Sequence, residues 1–217
     1  MIYDILQVIT NNYDTPYPNR DIKARNKLLL SDVPYNMNGW NNIQISSDTI
    51  HPFNTIFNIR WHPFNYSDAP YIIWVDGSLE IKTTLEPLIH PFIKSNADIA
   101  LLVHPSRTNI FNEYIAWMMY RHYPKDLAFK WLHQLESMGV DVYNSGLYQT
   151  NIIMYKKTPE TINWCNTVWN ILHWMDSENA ERLDQTIVTA LSKKIKVFEM
   201  PCEIYTKQFL FNIHYNH

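Results

Sequence analysis

Glycine is scarce in this chain, with four in 217 residues, and that scarcity removes whole classes of site. Neither GxGxxG nor GxxxxGK[ST] can be written from it, so dinucleotide-fingerprint and phosphate-loop chemistry are excluded. Cysteine is almost as rare. Cys165 and Cys202 lack the paired spacing of a zinc site, which fits a reducing compartment or simple indifference to redox state. No HExxH or GxSxG is present. Positive charge is not in excess either, since the net charge of −3 gives no broad attraction to nucleic acid or to an anionic membrane. No run approaches the ~18 to 20 apolar residues that span a bilayer. The opening MIYDILQVIT lacks the basic and apolar regions of a secretory signal. Together these absences predict a cytoplasmic chain with no integral membrane segment and no nucleic-acid partner. The expectation is one domain over residues 1–217, alone or as part of something longer.

What the chain does carry is apolar and aromatic weight: 46% hydrophobic residues, 14% aromatics and eight tryptophans. A chain of this length buries roughly 70% of its unfolded surface on folding. Most of the tryptophans therefore read as core, and a few as rings lining a sugar- or base-stacking cleft. Strand patterns appear at 2–10, 26–32, 71–81, 97–104, after the turn at Asn144-Ser-Gly146, and at 196–201. Helical spacing appears at 85–95 (interrupted at Pro91), 109–123, 125–139, 159–175 and 182–194. Residues 51–70, with Pro52, Pro63 and Pro70, read as loop. Strands alternating with helices predict an α/β fold with a central, mostly parallel sheet flanked by helices.

In such sheets, ligands bind beyond the carboxyl ends of the strands. The polar residues predicted there are Thr10-Asn-Asn-Tyr13, Ser31-Asp32, Asp76-Gly77-Ser78, His104 and Asn144-Ser-Gly146. With no glycine-rich loop to neutralise phosphate, a hard divalent cation held by carboxylate is the usual alternative. Asp76 suits it: a carboxylate at the end of the buried run YIIWV, followed by a glycine that permits close approach and a serine that adds a neutral oxygen. By itself the tripeptide fits a structural turn equally well.

The segment from about Phe57 to Ile81 resembles the metal-motif region of a family of GT-A-fold glycosyltransferase-like domains. That family includes plant cell-surface proteins and is similar to the UDP-sugar transferase domains of chlorella-type viruses. Its pattern is matched by Arg60, His62-Pro63 and Trp74-Val-Asp76-Gly77. His104-Pro-Ser-Arg107 with Glu113, Gly146-Leu-Tyr-Gln149, and Leu183-Asp184-Gln185 follow in the family's order.

The resemblance implies a GT-A-like domain transferring a sugar from a UDP-sugar donor to a glycan or glycoprotein acceptor hydroxyl. It implies Mn²⁺ or Mg²⁺ held by Asp76 and Ser78 with His214 near the end of the chain, His217 standing second. Ser78 departs from the usual Asp-x-Asp, which removes one carboxylate. Thr10 and Tyr13 are expected to hold uracil, Asp32 to accept from its N3–H, and Arg60 with Gly77 to face the diphosphate or the sugar. Asp184 is placed nearest the transferred sugar, as hydroxyl acceptor or general base, with Gln149 against the reacting face. Asp184 also fits a helix N-cap, and His104, Arg107 and Glu113 an internal brace. The alternative is a non-catalytic sugar-nucleotide or glycan-binding domain on the same fold. A haloacid-dehalogenase-like phosphohydrolase needs Asp-x-Asp followed by Thr or Val, which this stretch lacks.

Overall fold

A computed structural model describes residues 2–11, 14–47, 52–177, 183–201 and 211–213. In chain order the elements are β1 (Tyr3–Ile9), β2 (Lys27–Ser31), β3 (Asn41–Gln44), α1 (Pro52–Trp61), β4 (Tyr71–Val75), β5 (Leu79–Ile81), α2 (Glu86–Ser95) and β6 (Ile99–Val103). Then follow α3 (Ile110–Tyr120), α4 (Lys125–Ser137), β7 (Tyr148–Lys156), α5 (Pro159–Ser177), α6 (Asp184–Leu191), β8 (Val197–Met200) and β9 (Phe211–Ile213). Seven strands form one sheet in the order β3-β2-β1-β4-β7-β6-β8, and β5 pairs with β9 in a second, two-stranded sheet.

All strands of the large sheet run parallel except β7, which lies antiparallel between β4 and β6. Parallel strands covered on both faces need near-continuous apolar sequence, and YDILQVI and YIIWV supply it; every residue of β1 and four of five in β4 are buried. Alternate side chains feed two cores. Leu6, Val8, Ile72, Trp74, Leu101 and Ile153 pack towards the helices on one face. Ile5, Ile73, Val75, Leu102 and Met154 pack towards α2 residues Ile89 and Phe92 on the other. The predicted α/β sheet is therefore what the chain builds.

Three local expectations change. Residues 52–61 are helix rather than loop. PFNTIFNIRW has weak helical propensity and a low polar–apolar contrast, yet it buries Ile59, Arg60 and Trp61, so tertiary packing overrides local preference. The run 71–81 is two strands belonging to different sheets, separated by a turn in which the Leu79 N–H donates to the Asp76 carbonyl at 3.0 Å. Helix α2 continues through Pro91, which sits on an exposed flank of the helix.

The sheet order reverses direction between β1 and β4, the position at which α/β folds open a crevice at the carboxyl ends. Thr10 directly follows β1 and Asp76 directly follows β4 there. A second irregularity lies beside them. Leu101 faces Ile153 while Leu102 faces Gln149, so Thr150, Asn151 and Ile152 have no partners on β6. That bulge lets the amino end of β7 reach into the crevice.

Candidate active site

The centre of the crevice is a buried guanidinium. Arg60 lies near the end of α1, 6% exposed, with its Cζ 5.1 Å from the ring of Phe57 and 4.9 Å from that of Trp74. Phe57 is one helical turn earlier and therefore on the same face. Arg60 Nη2 donates to Asp76 Oδ1 at 2.5 Å, and Nη1 donates to Asp184 Oδ2 at 2.5 Å and to Thr150 Oγ1 at 3.4 Å. The Trp74 indole N–H also donates to Asp76 Oδ1, at 3.0 Å, and the Tyr155 hydroxyl donates to the Arg60 carbonyl at 2.9 Å.

Two carboxylates share one cation, so the triad carries a net negative charge. Burial pushes the Asp76 carboxyl above its ordinary range, with Arg60 pulling against it. Burial also works against the Arg60 charge, but the flanking Asp76 and Asp184 outweigh it and hold the guanidinium more firmly protonated than usual.

The Asp76 backbone is held as tightly as its side chain. Its N–H donates to the Asn151 carbonyl at 2.8 Å, and Gln7 Nε2 donates to the carbonyls of Asp76 and Leu79 at 2.8 and 3.0 Å. Gly77 sits in a tight place: a Cβ there would meet Val8 O and Ile9 Cγ1 at 3.0 Å, so those neighbours would have to give by a few tenths of an ångström. Asp76 Oδ2 takes part in none of these bonds, and the side chain is 30% exposed.

On the β1–β2 side, Asp32 Oδ2 accepts from the Asn11 N–H and from the Ser47 hydroxyl, both at 2.7 Å, which leaves Oδ1 buried without a partner. Thr10 Oγ1 is likewise buried and unpartnered. So are Gln7 Oε1, Arg60 Nε, Asn151 Oδ1 and Gln185 Oε1. Native folds leave few such atoms, and each costs on the order of 1–3 kcal/mol. Unpartnered atoms also occur elsewhere, at Asn19 Nδ2, Trp61 Nε1 and Trp131 Nε1; those on residues beside the triad are polar groups that a ligand there could meet.

His104, Arg107 and Glu113 form a brace at the end of β6. Arg107 Nε lies 2.6 Å from Glu113 Oε2, and His104 Nδ1 accepts from the Arg107 and Ser106 N–H groups at 2.9 and 3.2 Å. Burial, with the Arg107 charge adding to it, lowers the His104 pKa to about 4.

The structure thus brings Arg60, Asp76 and Asp184 together, with Thr10, Gly77 and Asp32 along the same edge. Asp184 is the first residue of α6; the cap residue is Leu183, so the N-cap reading of Asp184 gives way to the ion pair with Arg60. Gln149 lies at the start of β7, next to Thr150, and no hydrogen bond among the described residues joins it to the triad. Tyr13, His214 and His217 lie outside the described residues. Strand β9 does place Ile213 opposite Leu79, the residue that follows Ser78. Gln7, Thr150 and Asn151 were not among the residues expected from the sequence, while Trp74 entered only as part of the Trp74-Val-Asp76-Gly77 pattern. The available signals were polar residues inside otherwise apolar strands, YDILQVI and QTNIIMY.

Among the described residues, no three His, Cys, Asp or Glu side chains gather as a metal centre. The donor chemistry suits a cation that arrives with a ligand. Mg²⁺-type ions bound together with substrate phosphates need only one or two protein carboxylates, and Asp76 Oδ2, which accepts from neither Arg60 nor Trp74, is the oxygen such an ion would meet.

The seven-stranded mixed sheet flanked by helices is a GT-A-like fold, shared with a solved glycosyltransferase structure. Among solved structures, the fold is similar to that of mouse xyloside xylosyltransferase 1 in its apo form. The TM-score is 0.53 at 12% identity, over 92% of this chain and 85% of that one. No family model and no curated protein sequence matches the chain. Among the described residues, no helix is long and apolar enough to cross a membrane.

Proposed function

We propose that the chain is a glycosyltransferase domain that moves a sugar from a UDP-sugar to a glycan hydroxyl, all within one GT-A-like domain. The observation that carries this reading is the row of unpartnered buried polar atoms along the carboxyl edge, centred on the Asp76–Arg60–Asp184 triad. A nucleoside-diphosphate sugar offers the extended series of donors and acceptors that such a row requires.

Asp32 Oδ1 accepts the uracil N3–H, its other oxygen being fixed by Asn11 and Ser47. Thr10 and Tyr13 flank the base. Arg60 spends three of its five N–H donors on Asp76, Asp184 and Thr150, which leaves Nε and one Nη2 N–H to face the diphosphate or the sugar. It holds Asp76 and Asp184 in register and supplies positive charge between them. Asp184, neutralised in this way, accepts hydrogen bonds from hydroxyls of the donor sugar; this suits it better than the role of general base. Gln149 lies against the reacting face. Mn²⁺ or Mg²⁺ bound with the diphosphate, by Asp76 with Ser78 and His214, would neutralise charge on the departing UDP. The bond from the anomeric carbon to the β-phosphate oxygen breaks, a bond to the acceptor oxygen forms, and the acceptor proton is released.

The test is UDP-sugar turnover, by hydrolysis or transfer, in wild type and Asp76→Ala with Mn²⁺ present. Full turnover in the variant would exclude the proposal. The second reading, a non-catalytic binding domain, is favoured by the substitution of Ser78 for a second carboxylate. It is expected to show UDP-sugar or glycan binding with no turnover in wild type.

A further inference from the structure

A second cavity lies away from the triad, among α4, α5 and α6. It has a volume of about 150 Å³ and is lined by Trp131, Leu135, Ile171, Trp174, Ile187 and Leu191, with Lys193 and Lys194. Cavities of roughly this size with apolar walls accept a benzene ring. The walls are largely aromatic and aliphatic, as ligand pockets are. Trp131 and Trp174 meet edge to face at 5.0 Å. The outer wall is unusually apolar for surface, with Trp174 44% and Met138 47% exposed.

Two features of the cavity point to a ligand with a polar end. The Nε1 of Trp131 is buried without a hydrogen-bond partner, although a buried indole N–H normally finds one. Lys193 and Lys194 are both exposed side chains of the turn that follows α6, and no acidic side chain lines the cavity. Asp141 feels the charge of Lys193, but its oxygens already accept from Asn144 and Tyr143.

We infer that this cavity binds a small anionic amphiphile, with an aromatic ring or short alkyl chain against Trp131 and Ile187 and an anionic head beside Lys193 and Lys194. The head is a carboxylate or a phosphate, both of which suit a pair of ammonium groups. The apolar end is short, because the cavity is. This inference goes beyond the transferase reading and is independent of it, since none of the residues involved belongs to the triad.

The experiment is calorimetric titration of the full chain with octanoate, octyl phosphate and octanol. Saturable binding of at least one anionic probe is expected, about tenfold tighter than octanol, because a charge-assisted contact is worth roughly that factor. The double variant Lys193→Glu/Lys194→Glu changes two exposed side chains and is expected to fold, as circular dichroism can verify. It should bind the anionic probes no better than octanol. Octanoate and octyl phosphate differ in the head and by one methylene, worth roughly fourfold, so a difference well beyond that factor identifies which anion the site takes. Absence of saturable binding by either anion, equal affinity for octanol, or wild-type affinity in the double variant would overturn the assignment.

Discussion

Arg60 and Asp184 are separated by 124 residues in the chain and meet at 2.5 Å in the fold. The contact ties α1 to α6 across the end of the sheet, and Asp76 completes it from β4. Three elements are thereby fixed around one guanidinium that has little contact with water.

Removing that guanidinium should be costly. Arg60→Ala leaves the buried Asp184 carboxylate and the partly exposed Asp76 carboxylate without their cation, and breaking a buried pair on one side costs about 3–5 kcal/mol. Urea denaturation at neutral pH is expected to show a loss of that order. Arg60→Lys should recover only part of it, because an ammonium cannot present two parallel donors to two carboxylates.

Asp184→Asn tests the sugar-facing role. A charge-assisted hydrogen bond is worth about 1.5–3 kcal/mol, so transfer should fall roughly 10- to 150-fold. UDP affinity is expected to stay near the wild-type value, because Asp184 is assigned to the sugar and not to the nucleotide. An equal loss of UDP binding and transfer would refute that division.

Gly77→Ala should disturb Asp76 without touching its side chain. The added Cβ would stand 3.0 Å from the Val8 carbonyl and from Ile9 Cγ1, so β1 or the turn must shift. Overpacking of this kind costs typically about 1–3 kcal/mol. Loss of both thermal stability and UDP-sugar turnover is expected; retention of full turnover would show that the Asp76 turn tolerates movement.

His104 gives a pH signature. Its folded pKa is lowered to about 4 from 6.5, because the ring is buried and the Arg107 charge stands beside it. Between those values the unfolded chain binds a proton that the folded chain refuses, so stability falls as pH drops from about 6.5 towards 4. Urea midpoints at pH 7 and pH 5 are expected to differ less in His104→Gln than in wild type.

The sequence made the sheet legible because parallel strands buried on both faces must be written in continuous apolar residues, as YIIWV is. Asp76 was legible for a related reason: a carboxylate directly after such a run lies at the crevice. Helix α1 was hidden, since PFNTIFNIRW forms through burial of Ile59 and Trp61 rather than through propensity. The pairing of Arg60 with Asp184 had no local signal, because only the crossing of α1 and α6 creates it. The bulge that presents Thr150 and Asn151 depends on a slip in register between β6 and β7, which apolar patterning does not record.

The most direct measurement is calorimetric titration of UDP into the full chain, with Mn²⁺ and then with a chelator, for wild type and Asp76→Asn. One saturable site is expected in wild type with Mn²⁺, weakened about tenfold or more both by the chelator and by the variant. No UDP binding with Mn²⁺, or binding indifferent to both metal and Asp76, would contradict it.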